Sequence, residues 1–165
     1  MKNSLSFKEL RAVVLGTILV NFIIQKIFRV NSKASFMVHY TSRISMAQNI
    51  HIEEHKESST VYSSLASSNG LYMNGANGIN IAKNVMIASG VKIISANHDF
   101  RKRNKQAKSN CINIEENVWL GANVIILPGV TIGKNSVIGA GGVVTKDIQK
   151  NVVAVGAPAV VIREL

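Results

Sequence analysis

From Ile81 the chain reads "IAKNVM IASGVK IISANH" and, after an interruption, "IEENVW LGANVI ILPGVT IGKNSV IGAGGV VTKDIQ". The first positions are Ile81, Ile87, Ile93, Ile114, Leu120, Ile126, Ile132, Ile138 and Val144, every one aliphatic. The fifth positions are mostly valine or small: Val85, Val91, Val118, Val124, Val130, Ser136 and Gly142. A helix repeats its apolar stripe at three and four residues, so a strict spacing of six excludes an amphipathic helix here. Repeats of this kind build stacked architectures in which each unit buries its apolar side against its neighbours. Six residues make a short strand and a bend, three units make a coil of about 18 residues, and coils stack at the ordinary strand spacing of about 4.8 Å. With the interruption left out, Ile81, Ile114 and Ile132 share one face, Ile87, Leu120 and Ile138 a second, and Ile93, Ile126 and Val144 a third. The expected fold is an all-β solenoid, a triangular prism of parallel strands with aliphatic side chains inside. Glycine or another small residue follows many of the aliphatics and eases the corners. Val38, Ile44 and Ile50 carry a weaker echo of the pattern upstream.

The interruption is "ISANHDFRKRNKQAKSNCINI", residues 94 to 114. The pattern stops, His98 stands at the edge, and a loop of about Asp99 to Asn110 carries Arg101, Lys102, Arg103, Lys105 and Lys108. Solvated loop charge is the plain explanation, and a negatively charged or membrane-proximal ligand the functional one. The whole chain, 165 residues with a formal charge of +10, is long enough for one domain with a real core and favours anionic partners. No nucleic-acid recognition module accompanies that charge. Cys111 is the single cysteine, so no intrachain disulfide can form; a reducing compartment is compatible, and a small packed hydrophobe is its expected role.

The first 30 residues differ from the rest. "AVVLGTILVNFII", Ala12 to Ile24, is flanked by Lys2, Lys8, Arg11, Lys26, Arg29 and Lys33. The run falls short of the roughly 20 residues a spanning helix needs, and no small-residue cleavage site follows it. Three placements stay open: contact with a membrane surface, packing on protein, and a short anchor, the length rule favouring the first. The organisation expected is an N-terminal apolar and basic helix over 1–30 and a β-helix domain over 31–165. The helix would cover one open end of the solenoid and the tail "GAPAVVIREL" the other.

The hexads, together with "CINIEENVWLGANVIILPGVTIGKNSVIGAGGVVTKDI" and "NVVAVGAPAVVIREL", closely resemble the hexapeptide-repeat O-acetyltransferases. Within them the chain is similar to the galactoside/maltose acetyltransferase branch and its polysaccharide-modifying relatives. The resemblance covers about residues 70 to 165. It implies a left-handed parallel β-helix, an exception to the right-handed crossover rule, with a loop protruding near 99–110. It implies a homotrimer with sites between subunits, acetyl-CoA as co-substrate and no metal. His98 would be the general base, for which an imidazole has the right pKa range. The Ala122 main-chain N–H would face the oxyanion, where some relatives add a serine hydroxyl. Trp119, Ala140, Gly141, Thr145, Lys146 and Arg163 would line the coenzyme groove, the two cations meeting phosphates. On the acceptor side the family's aspartate aligns with Ala76, so Asn74 and Asn77 are the remaining candidates in "MNGANGINI", although asparagines of this kind also serve turns.

The resulting expectation is acetyl transfer to a sugar hydroxyl, of a cell-surface polysaccharide or its precursor rather than a free galactoside, in the cytoplasm and in reach of the inner membrane face. An amino-sugar N-acetyltransferase would use the same geometry, and a non-catalytic β-helix scaffold is the alternative from another class. "HIEEH", His51 to His55, has the inverted zinc-protease spacing, but it follows an extended hexad and lacks a third ligand. A carbonic anhydrase on the same scaffold would need three converging histidines, and the strong repeat holds only His98.

Overall fold

The computed structural model describes residues 7–53, 60–99 and 101–165, with side chains from residue 14 onward. Three parallel sheets make the body. The first contains β1 (Arg43–Ser45), β3 (Tyr72–Asn74), β6 (Lys92–Ile94), β9 (Ile125–Ile126) and β12 (Val143–Val144), in that order. The second contains β2 (Ile50–Ile52), β4 (Ile79–Ile81), β7 (Ile112–Ile114) and β10 (Thr131–Ile132). The third contains β5 (Met86–Ile87), β8 (Trp119–Leu120), β11 (Val137–Ile138), β13 (Val152–Val155) and β14 (Val160–Glu164), the last antiparallel. From β3 to β12 the chain visits first, second and third sheet in turn, so each of these strands lies against one from the neighbouring coil.

The registers follow the hexads. Ile52, Ile81, Ile114 and Ile132 align in the second sheet, and Ile87, Leu120, Ile138 and Ala154 in the third. Ile44, Met73, Ile93, Ile126 and Val144 align in the first, so the upstream echo at Ile44 is a true member of the repeat, whereas in the next unit Ile52 and not Ile50 holds the stacked position. Leu120, Ile126, Ile132, Ile138 and Val144 are each 0% exposed. Truncating one such side chain to alanine costs about 2–5 kcal/mol, because stacked coils cannot close around the void.

Glycine does not make every corner. Between the second and third sheets the bends use Asn84, Asn117, Asn135 and Asn151, all at positive φ. Asparagine tolerates this conformation, and stacking adds a ladder: Asn117 Nδ2 donates to Asn135 Oδ1 at 3.0 Å and Asn135 Nδ2 to Asn151 Oδ1 at 2.8 Å.

Helix α2 (Thr60–Ser67) takes the place a third-sheet strand would hold in the first coil and packs on β5. Its serines serve the strand edge it covers: Ser64 Oγ accepts from the Ile87 N–H at 3.3 Å, and Ser68 Oγ, just past its end, donates to Ile87 O at 2.7 Å. Helix α1 (Phe7–Phe22) runs into a π-helical turn at Ile23–Ile27 and lies against α2 and the segment 36–40. No helix among the described residues is long and apolar enough to cross a membrane. His51 lies on strand β2, the wrong frame for a zinc-binding helix, and His55 falls outside the described residues. Cys111 is half-buried rather than sealed in the core, with its Sγ 3.5 Å from Asn113 Oδ1.

Candidate active site

The interruption is built as an arm. The Ala107 N–H donates to Asn97 O at 2.8 Å, the Asp99 N–H to Lys105 O at 2.9 Å, and His98 bridges Gln106 in antiparallel register. The expected loop is therefore a short hairpin, and His98 belongs to its first limb. Asp99 shapes the tip by accepting from the N–H groups of Lys102, at 2.9 Å, and Arg101, at 2.7 Å. Those two donors hold its carboxyl below the ordinary carboxylate range.

The root of the arm is clamped. Asn77 Nδ2 donates to Ser95 O at 2.9 Å and to Ala107 O at 3.3 Å, so one carboxamide ties both limbs to the coil below. Ser95 is fully buried; its Oγ accepts from the Asn77 N–H at 2.9 Å and donates to Asn74 O at 2.7 Å. Asn74 Oδ1 accepts from the Ala76 N–H at 3.1 Å, closing a local turn. Both candidate acceptor residues thus have structural duties beside His98, and Asn77 helps set the arm's position. The sequence carries no local signal for this, because the clamp joins segments about thirty residues apart.

His98 is exposed, as are Arg101, Lys102, Arg103, Lys105 and Lys108. Among the described residues the only ion pair is Lys83 with Glu116, at 3.3 Å, so none of the arm's cations is paired with a carboxylate of those residues. No group of His, Cys, Asp or Glu among the described residues is arranged to hold a metal.

The remaining candidates divide between the edges of the prism. The arm leaves the edge where the first sheet passes to the second, and Thr145 and Lys146, both exposed, follow β12 on that same edge. Ala122, Ala140 and Gly141 lie on another edge, where the third sheet passes to the first. There Gly121 O accepts from the Val124 N–H at 3.3 Å, closing a turn in which the Ala122 N–H is not used. Gly141 sits directly above: its N–H donates to Ala122 O at 2.8 Å, its φ is +72°, and a Cβ placed there would meet nothing within 4 Å. With exposed Ala140 beside it, this edge presents open main chain that a slender pantetheine arm can approach. Trp119 and Arg163 lie on the outer face of the third sheet, in the row Met86, Trp119, Val137, Val153, Arg163. Trp119 and Met86 are each 50% exposed and, with the serines of α2, border a groove of about 460 Å³. Met86 is a groove residue that the hexad pattern, which marks only inward positions, had no means to flag. One chain therefore carries the histidine on one edge and the candidate oxyanion donor on another.

Comparison with known proteins agrees with this architecture. A family model described as bacterial transferase hexapeptide (six repeats) matches residues 111–146. The galactoside O-acetyltransferase of Lactococcus lactis is 55% identical over 89 residues, 52% of this chain and 42% of that protein. The chain spans about half the length, or less, of the curated relatives it matches. Among solved structures, a galactoside acetyltransferase in complex with coenzyme A is 31% identical with a TM-score of 0.67, covering 98% of this chain and 84% of the other. A maltose O-acetyltransferase from Clostridium difficile 630 is 40% identical with a TM-score of 0.58, covering 75% of this chain and 63% of the other.

Proposed function

This chain belongs to the hexapeptide-repeat acetyltransferases, and on that footing we propose that it moves an acetyl group from acetyl-CoA to a sugar hydroxyl. The observation that carries the reading is an exposed imidazole at the one break in the strong repeat, at the root of a clamped arm. The winding is left-handed and the working unit a homotrimer, in which the His98 edge of one copy meets the Ala122–Ala140 edge of the next. The division of the candidate residues between two edges of a single chain is what supports a shared site.

In this reading His98 takes the acceptor's hydroxyl proton as its oxygen attacks the thioester carbonyl. The carbon–sulfur bond then breaks, and His98 returns the proton to the leaving sulfur, so O-acetyl sugar and coenzyme A are released. The Ala122 N–H stabilises the charge that develops on the carbonyl oxygen; alanine at this position leaves the main chain as the only donor there. Ala140 and Gly141 let the pantetheine arm lie against backbone, Trp119 offers an apolar wall, Thr145 lines the groove, and Lys146 and Arg163 meet phosphates from the rim. The acceptor is a glycan that carries negative charge, a cell-surface polysaccharide or its lipid-linked precursor, because exposed cations of the arm flank the histidine. Asn74 and Asn77 offer it their remaining polar atoms. The cytoplasm is the compartment, in keeping with a single half-buried cysteine.

Replacing His98 by alanine is expected to lower turnover by about 10²–10⁴-fold while coenzyme A binding, read by calorimetry, stays within a few-fold of the parent. Unchanged turnover would refute the assignment. The acceptor is found by supplying acetyl-CoA with a panel of neutral and anionic glycans and locating the new ester by NMR.

A further inference from the structure

Helix α1 and the turn that continues it are built inside out. Their buried polar side chains point at the protein. Asn21, 0% exposed, donates from Nδ2 to Ala66 O at 2.9 Å and accepts at Oδ1 from the Tyr40 N–H at 2.8 Å. Gln25, 4% exposed, donates from Nε2 to Phe36 O at 2.8 Å and accepts at Oε1 from the Val38 N–H at 3.4 Å. These amides complete the hydrogen bonding of the backbone at the end of the solenoid, which is why they face inward. The large apolar residues are left outside: Leu15, Leu19, Phe22, Ile27 and Phe28 are 49–67% exposed. A helix facing water shows the opposite arrangement. The environment this one meets on its outer side is therefore apolar.

Charge identifies that environment. Lys26, Arg29, Lys33 and Arg43 are exposed around the same segment, and the sequence holds no Asp or Glu from Leu10 to Ile52. A second copy of this chain would bring identical cations together on a molecule already carrying +10. An anionic lipid surface supplies both an apolar layer and neutralising phosphates. The stretch from Ala12 to Ile24 is about 20 Å long as helix, against a hydrocarbon core of roughly 30 Å. Its inner side is also occupied by the protein.

We infer that α1 lies on an anionic membrane surface, with Leu15, Leu19, Phe22 and Phe28 in the outer acyl region and Lys26, Arg29 and Lys33 against lipid phosphates. The contact is a property of α1 and is independent of acyl transfer.

The test uses the full chain and vesicles, read by flotation. The parent should float with vesicles containing about one-third phosphatidylglycerol, bind roughly tenfold less to pure phosphatidylcholine, and be released by high salt. A variant carrying Leu15→Ser, Leu19→Ser and Phe28→Ser changes exposed positions only, so its melting temperature should hold while flotation is lost. A second variant, Lys26→Glu with Arg29→Glu and Lys33→Glu, should lose the preference for anionic vesicles. The inference is overturned if the parent floats with neither vesicle, or if both variants float like the parent. It is equally overturned if light scattering finds assemblies larger than a trimer that only the serine variant dissolves and vesicles do not displace.

Discussion

A Cβ at Gly121 would lie 2.7 Å from the Ala140 nitrogen and 2.9 Å from Ile138 O, and one at Gly133 would lie 2.5 Å from the Lys150 nitrogen. Neither glycine has positive φ, so their role is clearance between coils rather than conformational freedom. The sequence reading located these glycines correctly but gave the wrong cause, since the obstructing atoms come from the next coil. The residue scale also holds a titratable group that the hexads did not mark. His39 lies at the floor of the groove between α1 and α2, stacked on Tyr40 at 4.4 Å, with Nδ1 2.9 Å from Thr41 Oγ1. Burial lowers its pKa from the ordinary 6.5, and none of the described residues lining that groove is charged. The unfolded chain then binds the proton more readily than the folded one, so stability rises with pH across the window below 6.5. Thermal melts should be level above that value and fall as pH drops beneath it, and His39→Gln should flatten the profile relative to the parent.

At the scale of elements, the arm and the two helices are where the repeat gives way, each for a tertiary reason. The period of six stops at residue 94, and the chain re-enters at Ile112 in register with Ile79, so the excursion inserts without disturbing the coil. What aims the arm is the Asn77 carboxamide. Changing Asn77→Asp keeps the shape but sets a carboxylate oxygen against the carbonyls of Ser95 and Ala107. Two hydrogen bonds of about 0.5–1.5 kcal/mol each are replaced by repulsion. Steady-state kinetics should return a kcat at least roughly tenfold lower with KM for acetyl-CoA little changed, and the melting temperature should fall by only a few degrees. A merely structural asparagine would shift the melt and leave kcat alone. Helix α2 lies outside the period of six: the segment "TVYSSLASSN" takes its place from the edge of β5, whose Ile87 backbone groups bond to the hydroxyls of Ser64 and Ser68.

For the whole molecule, the proposed shared site would make catalysis a property of the assembly. Two inactive variants can be combined to test it. His98→Ala removes the base from one edge, and Ala140→Trp fills the pantetheine path on the other. Each alone should be inactive. Co-expressed and purified through two tags, mixed trimers should regain activity at about one site in three, because every ring of three that holds both variants has one interface joining an intact His98 edge to an intact Ala140 edge. A site built within one chain would regain none, and that result would remove the shared groove from the proposal.

The stacked core was determined by sequence alone. Six is a period that only a coil of strands can satisfy, and Ile81, Leu120 and Ile126 therefore announced their own faces. The same pattern singled out His98 as the imidazole at the one point where it fails, and the structure leaves that side chain exposed; its catalytic role belongs to the proposal. Tertiary structure decided what no spacing encodes: that Asn77 and Ser95 clamp the arm, and that α1 turns its amides inward and its leucines out. Those outcomes depend on which unpaired backbone groups and which open edges lie nearby after folding, and that neighbourhood does not exist until the coils have stacked.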